Sequence, residues 1–154
     1  MPQADILVIG AGPAGLATAY ALQQAGLSYR VIDRASVIGS TWNSLYPSLR
    51  LNTTRFYSHM RDMKFPLSYG MFPSARQYHD YLLAYVDKHR FNITLGVDVQ
   101  RVAPDGDGWR VESSEGVHHY PVVVSATGIF SSPITPDIPG MSSFQGQLIH
   151  SSQY

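Results

Sequence analysis

No cysteine occurs among the 154 residues, which excludes disulfide frameworks, thiolate metal sites and any C-x-x-C redox pair. Net charge is lacking as well: 11 Lys and Arg balance 11 Asp and Glu, and the cations form no stripe. Phosphate neutralisation along a nucleic acid needs clustered Lys and Arg, so no nucleic-acid partner is expected. No apolar run approaches the roughly 20 residues of a membrane-spanning helix, so no membrane partner is expected either. The start Met1-Pro2-Gln3-Ala4-Asp5 lacks the basic and apolar regions of a signal peptide, and a cytoplasmic address is the expectation. What is present, 44% hydrophobic and 14% charged residues, suits one domain with its own core rather than two.

Ile6-Leu7-Val8-Ile9 is a continuous apolar run, as expected of a parallel strand buried on both faces. Gly10 to Gly15 make a turn, Ala14 to Gln24 read as a helix stopped by Gly26, and Tyr29 to Asp33 form a second strand ending on a carboxylate. From Val37 to Tyr69 no clean period is visible, and a loop of that length inside a compact domain is either functional or misread. Ser74 is placed to cap a helix carrying Tyr78, Leu82, Tyr85 and Val86 at helical spacing as far as about His89. Ile93 to Val102, Trp109 to Ser113 and Val117 to Tyr120 alternate as strands of a small antiparallel meander. Val122 to Ala126 is again continuously apolar and returns to the parallel sheet. Pro133, Pro136 and Pro139 then break regular structure and suggest an extended linker.

The segment Gly10-x-Gly12-x-x-Gly15 lies between a strand and a helix. Gly10 permits the sharp turn, Gly12 lets the backbone approach a pyrophosphate, and Gly15 permits tight helix–strand packing. The helix N-terminus adds unpaired N–H groups and a positive dipole end. Asp33, 18 residues beyond Gly15, stands where a carboxylate accepts from ribose hydroxyls and disfavours a 2′-phosphate, so the ligand here is not NADP. The fingerprint alone leaves FAD and NAD both open.

Further segments carry a family resemblance. Ile38-Gly39-Ser40-Thr41-Trp42 resembles a Gly-Gly-x-Trp segment with Ser40 in place of the second glycine. Tyr46-Pro47-Ser48-Leu49-Arg50 is similar to Tyr-Pro-Gly-x-Arg. Phe72-Pro73-Ser74 with Tyr81-Leu82, and Ala126-Thr127-Gly128, match in the same way. Phe144-x-Gly146-x-x-x-His150-x-x-x-Tyr154 reproduces the signature F-x-G-x-x-x-H-x-x-x-(F/Y/W). Together these resemble the flavin-containing monooxygenase and Baeyer–Villiger-like flavoproteins, the class B flavin monooxygenases.

The resemblance implies an α/β fold: a Rossmann-like FAD-binding βαβ with a parallel sheet plus a small antiparallel β-meander, as an incomplete two-dinucleotide-binding-domain fold. Residues 1–140 would be the N-terminal portion of the FAD-binding domain. Residues 141–154 would be a linker towards a missing NADPH domain. It implies FAD as cofactor, with Gly10, Gly12, Pro13, Ala14, Gly15, Asp33, Arg34, Ser40, Thr41, Trp42, Arg50, Val99, Ala126, Thr127 and Gly128 at its site. Val99 stands where a valine main chain meets adenine. Asn52 aligns with an asparagine beside the flavin, where its amide could hold a flavin hydroperoxide, and otherwise reads as a loop asparagine bonding its own backbone. Trp42 and Arg50 equally read as loop packing and a surface cation. His150 is expected to be structural or gating. The pair His118-His119 has no further ligands nearby and no metal is expected, while His59, His79 and His89 read as ordinary surface or helix residues.

The implied chemistry is oxygenation of a small organic substrate by O2. NADPH, bound by a region not present in this chain, reduces FAD, and the flavin hydroperoxide then transfers oxygen. A fragment of a longer enzyme, a stand-alone FAD-binding module working with a partner chain, and a degenerate remnant all stay open, as does a homodimer. A plain NAD-dependent or other non-oxygenating NAD(P)/FAD oxidoreductase is the alternative enzyme class. Disulfide reductases share the opening fingerprint, but a dithiol enzyme needs thiols that this stretch lacks.

Overall fold

The computed structural model describes residues 4–129 and 133–153. Two sheets organise them. Four parallel strands run in the order β3-β2-β1-β7, with β1 at Ile6–Ile9, β2 at Tyr29–Asp33, β3 at Ile93–Leu95 and β7 at Val122–Ser125. The register is direct: Val8 lies beside Val31 on one side and Val124 on the other. Strands β4 (Val99–Asp105), β5 (Gly108–Ser113) and β6 (Gly116–Tyr120) form a separate antiparallel meander.

Strand β1 is apolar throughout because both of its faces are covered. Ile6, Val8, Tyr29 and Val31 project into a large core built with the helices α1 (Pro13–Gln24) and α4 (Ala75–His89), whose Leu16, Ala19, Leu82 and Tyr85 are fully buried. The alternate residues Leu7 and Ile32 project the other way, into a smaller cluster with Val97, Val111 and Tyr120 that seats the meander. Each fully buried Leu or Val contributes about 1.5–3 kcal/mol relative to exposure, so the helical side supplies most of the apolar stabilisation.

Helix α4 begins as the sequence implies. Ser74 Oγ accepts from the Gln77 N–H at 3.2 Å, and Gln77 Oε1 accepts from the Ser74 N–H at 2.9 Å, a complete capping box. Tyr81 on this helix accepts from the Met60 N–H at 2.7 Å and donates to the Met63 carbonyl, which pins the 60–63 turn. Burial pushes the Tyr81 phenol up to about 12, so it stays a donor at neutral pH.

Two expectations need correction. Ile93 to Val102 is not one strand of the meander: Ile93–Leu95 joins the parallel sheet beside β2, and the antiparallel β4 begins only at Val99. The alternation runs on through Gly96, whose φ of +76° turns the chain from one sheet to the other, so pattern alone could not show the break. The stretch 37–69 is not structureless either. It holds α2 (Ser40–Asn43), α3 (Arg55–Ser58) and a 3-10 turn at Leu67–Tyr69, each too short for a helical period to be read.

Candidate functional site

The carboxyl end of β1 is where the chemistry-bearing residues converge. Gly10 has φ +114°, and a Cβ there would strike the Ala126 carbonyl beyond β7. A Cβ on Gly15 would strike the Gly10 carbonyl oxygen. These two glycines are required by contact between backbones of this chain. Gly12 is different: nothing lies within 4 Å of where its Cβ would be. It is the N-cap of α1, with Pro13 as the first helical residue, no side-chain cap and no acidic residue in the first turn. The Leu16 N–H is bonded to the Gly12 carbonyl at 3.0 Å, so the N–H groups of Ala14 and Gly15 precede any intrahelical acceptor. Open space, free donors and the positive end of a 12-residue helix meet at one point.

Asp33 closes the same loop from the end of β2. Its Oδ2 accepts from the Ala11 N–H at 2.7 Å and its Oδ1 from the Ala35 N–H at 2.8 Å. An ionised carboxylate has about four acceptor sites, so two remain for hydroxyl donors. The Ala11 carbonyl in turn accepts from the Gly39 N–H at 3.0 Å, which brings the loop before α2 over the glycine turn. Gly39 adopts φ +58°. A Cβ there would lie 3.0 Å from Leu82 and 3.6 Å from His79 on α4.

The expected site residues divide into groups. Gly10, Gly12, Pro13, Ala14, Gly15, Asp33 and Ala126 come together at the glycine turn, Gly10 and Gly15 buried within it, with Ser40 and Thr41 following Gly39 onto α2. Trp42 packs edge-on against Tyr78 of α4 at 4.5 Å, so much of its ring is spent on the core. Thr127 lines a cleft of about 350 Å³ together with Ile9, Val99 and Arg101, placing Val99 and the end of β7 on a common opening. Arg34 and Gly128 are exposed.

Arg50 and Asn52 lie further out. Arg50 donates to the Phe72 carbonyl at 3.0 Å, and exposed Asn52 lies between the ties Leu51 N–H to Pro73 O and Arg55 N–H to Met71 O, both 2.9 Å. Their stretch is thus bonded to residues 71–75 and not to the glycine loop. In the distal segment the exposed Phe144 ring lies over Gly146, where an added Cβ would push the ring aside. Ile149 and Ser151, flanking His150, share a cavity of about 520 Å³ with Tyr46 and Ser48. Tyr154 lies outside the described residues.

Sequence reasoning missed three participants. His79 is a buried helix residue, not a surface one, and its Nε2 lies 2.9 Å from the Ile38 carbonyl, fixing the loop before Gly39. Tyr78 backs Trp42. The Ala11 main chain is held from both sides. Only the helical position of Tyr78 and His79 beside Leu82 hinted at the first two, and nothing in a side-chain pattern could reveal the third. Among the described residues no group of three or more His, Asp or Glu is arranged for a metal ion, and no helix is long and apolar enough to cross a membrane.

A parallel sheet whose first strand feeds a glycine turn, an open helix N-terminus and an acid-terminated second strand define a dinucleotide-binding unit. The chain belongs to the pyridine nucleotide-disulphide oxidoreductase family, whose profile it matches over residues 7–154. It is 32% identical over 153 residues to the probable indole-3-pyruvate monooxygenase YUCCA1 of Arabidopsis thaliana, covering 96% of this chain and 37% of that protein. The solved flavin-containing monooxygenase from Stenotrophomonas maltophilia superposes with a TM-score of 0.90 at 33% identity, over 100% of this chain and 47% of that one. The structure of OTEMO in complex with FAD and NADP superposes at 0.76 with 27% identity, over 98% of this chain and 30% of that one. The resemblance to flavin monooxygenases read from the motifs is borne out, and the chain spans less than half the length of each of these three proteins.

Proposed function

We propose that this chain holds FAD on the Gly10–Gly15 loop and is the FAD-binding part of an NADPH-dependent monooxygenase that oxygenates a small organic substrate with O2. The observation that carries the reading is Gly12, whose Cβ position is open for 4 Å around at the N-terminus of α1. A backbone left bare there, with the Ala14 and Gly15 N–H groups beside it, fits a pyrophosphate. The named cofactors of the OTEMO complex support the choice of FAD and NADP.

Within this reading Asp33 takes the ribose hydroxyls, with Arg34 beside it, and the Val99 main chain takes the adenine edge. Ser40, Thr41, Trp42 and Arg50 flank the cofactor towards the flavin, Ala126, Thr127 and Gly128 bound it from β7, and Asn52 faces the reacting edge of the flavin. Residues 1–140 act as the FAD-binding domain, and residues 141–154 with Phe144, Gly146, His150 and Tyr154 act as a linker. NADPH is held outside these 154 residues, a reading supported by the greater length of the relatives. A cytoplasmic location completes it. When bound, FAD supplies the two-electron chemistry between NADPH and O2 that amino-acid side chains lack. The protein's own work is to hold phosphate, ribose and adenine, and to keep water from the reacting edge.

The test uses the protein at its natural full length, loaded with FAD and mixed anaerobically with NADPH. Bleaching of the flavin, followed on aeration by oxygen transfer to a thioether, amine or ketone, is the expected result. A flavin that NADPH does not reduce would remove the monooxygenase reading. A flavin reduced and reoxidised with no product from any of the three substrate types would leave a non-oxygenating oxidoreductase.

A further inference from the structure

We propose that Arg30 and Glu115 are a positioning pair that clamps the meander to the parallel sheet and so sets the adenosine end of the dinucleotide site. The proposal rests on the FAD reading above. Arg30 lies on β2 three residues before Asp33, on the face that seats the meander. Its Nη1 and Nη2 donate to Glu115 Oε2 and Oε1, both at 2.8 Å, while its Nε donates to Thr94 Oγ1 on β3 at 3.2 Å. Glu115 sits in the turn between β5 and β6. A two-pronged guanidinium–carboxylate contact fixes angle as well as distance, which a single ammonium contact does not.

The turn carries that constraint to the site in one further step. The Ser114 N–H donates to the Asp98 carbonyl at 2.9 Å, and the Asp98 N–H donates to Ser114 Oγ at 3.1 Å. Val99 is in register with Ser113. On the other flank the Val97 N–H donates to the Asp33 carbonyl at 2.9 Å. The segment 97–99, which carries the proposed adenine contact at Val99, is thus strung between the acid of β2 and the turn that Arg30 grips. The other support is the apolar cluster of Leu7, Ile32, Val97, Val111 and Tyr120 between the sheets, which supplies most of the attraction but, being non-directional, fixes angle less closely than a two-pronged contact. Among the described residues the Arg30–Glu115 pair is the one ion pair joining the two sheets. Arg30 is half-buried and Glu115 exposed, so solvent screens the pair and its weight lies in its two-pronged geometry. Arg30 and Glu115 do not touch the ligand; they act through residues 97–99.

The test measures the dissociation constant of ADP, which carries the adenosine half without the flavin, for the wild type, Glu115→Ala and Lys88→Ala. Lys88→Ala removes a second ion pair, Lys88–Asp62 at 2.9 Å, remote from residues 97–99 in its bonding. It controls for loss of stability alone. A clamp predicts that Glu115→Ala weakens ADP about 2- to 5-fold while Lys88→Ala leaves it unchanged, with both variants folded by circular dichroism. Equal ADP affinity in Glu115→Ala and wild type would overturn the clamp and leave the FAD reading standing. Equal weakening in both variants would reduce the pair to general stability and overturn it as well. No ADP or FAD binding by the wild type would overturn the FAD reading, and the clamp with it.

Discussion

The Asp33 carboxylate holds the Ala11 N–H at 2.7 Å, tying the end of β2 to the middle of the glycine loop. One side chain therefore both fixes the loop and presents the remaining acceptors of its carboxylate to a ribose. In Asp33→Asn the amide keeps one oxygen, and its NH2 group faces an N–H donor on the other side. The variant is expected to lose about 1–3 kcal/mol of stability, measured by urea unfolding, and to bind FAD at least about 10-fold more weakly. Unchanged stability would show that the Ala11 contact is incidental.

The glycines of the loop separate by role. Gly15→Ala puts a Cβ into the Gly10 carbonyl, and a collision with backbone cannot be relieved by a rotamer change. A loss of about 2 kcal/mol or more is expected in thermal or urea unfolding. The Cβ of Gly12→Val meets no protein atom within 4 Å, and the substitution should cost about 1 kcal/mol, as a change of N-cap. The order of the two unfolding midpoints checks this directly.

Ser74→Ala deletes the bond from the Gln77 N–H to Ser74 Oγ and leaves the backbone N–H of residue 74 donating to Gln77 Oε1. About 1 kcal/mol should be lost, with FAD affinity unaffected, because the backbone bonds that tie residues 73–75 to residues 49–51 do not use the Ser74 hydroxyl. A fall in FAD affinity matching the fall in stability would mean that α4 registers the site more directly than its contacts indicate.

Acid should destabilise the fold in two stages. His89 is packed among Tyr20, Tyr85 and Phe91. Burial, aided by Lys88, pushes its imidazole below the ordinary 6.5, with Asp62 opposing at 3.9 Å. Between the folded and unfolded values the unfolded chain binds more protons, so stability is complete above pH 6.5 and falls as pH drops through it. The hydrogen bonds from Arg30 hold Glu115 below its usual 4.5, so its contribution is lost only at lower pH. His89→Phe should remove the first stage of a melting-temperature profile, and Glu115→Gln part of the second. A first stage that survives His89→Phe would assign it to another group.

Legibility followed the range of the interactions. The βαβ unit, the capped helix and the meander were readable because period, cap and turn are local. Gly10 and Gly15 were readable too, since each obeys a backbone constraint that only glycine meets. Gly96 was not, because a chain that changes sheet in mid-alternation leaves no mark in the alternation. His79 was not, because its role is to hold a carbonyl 41 residues away. The Arg30–Glu115 clamp spans 85 residues, and in sequence both partners look like ordinary surface charges.

FAD titration of the wild type and Gly12→Val, followed by quenching of flavin fluorescence, tests the central claim most directly. The account predicts one FAD per wild-type chain and no saturable binding to a Gly12→Val chain that circular dichroism shows to be folded. Equal affinity in the two, or a folded wild type that leaves FAD free, would contradict it.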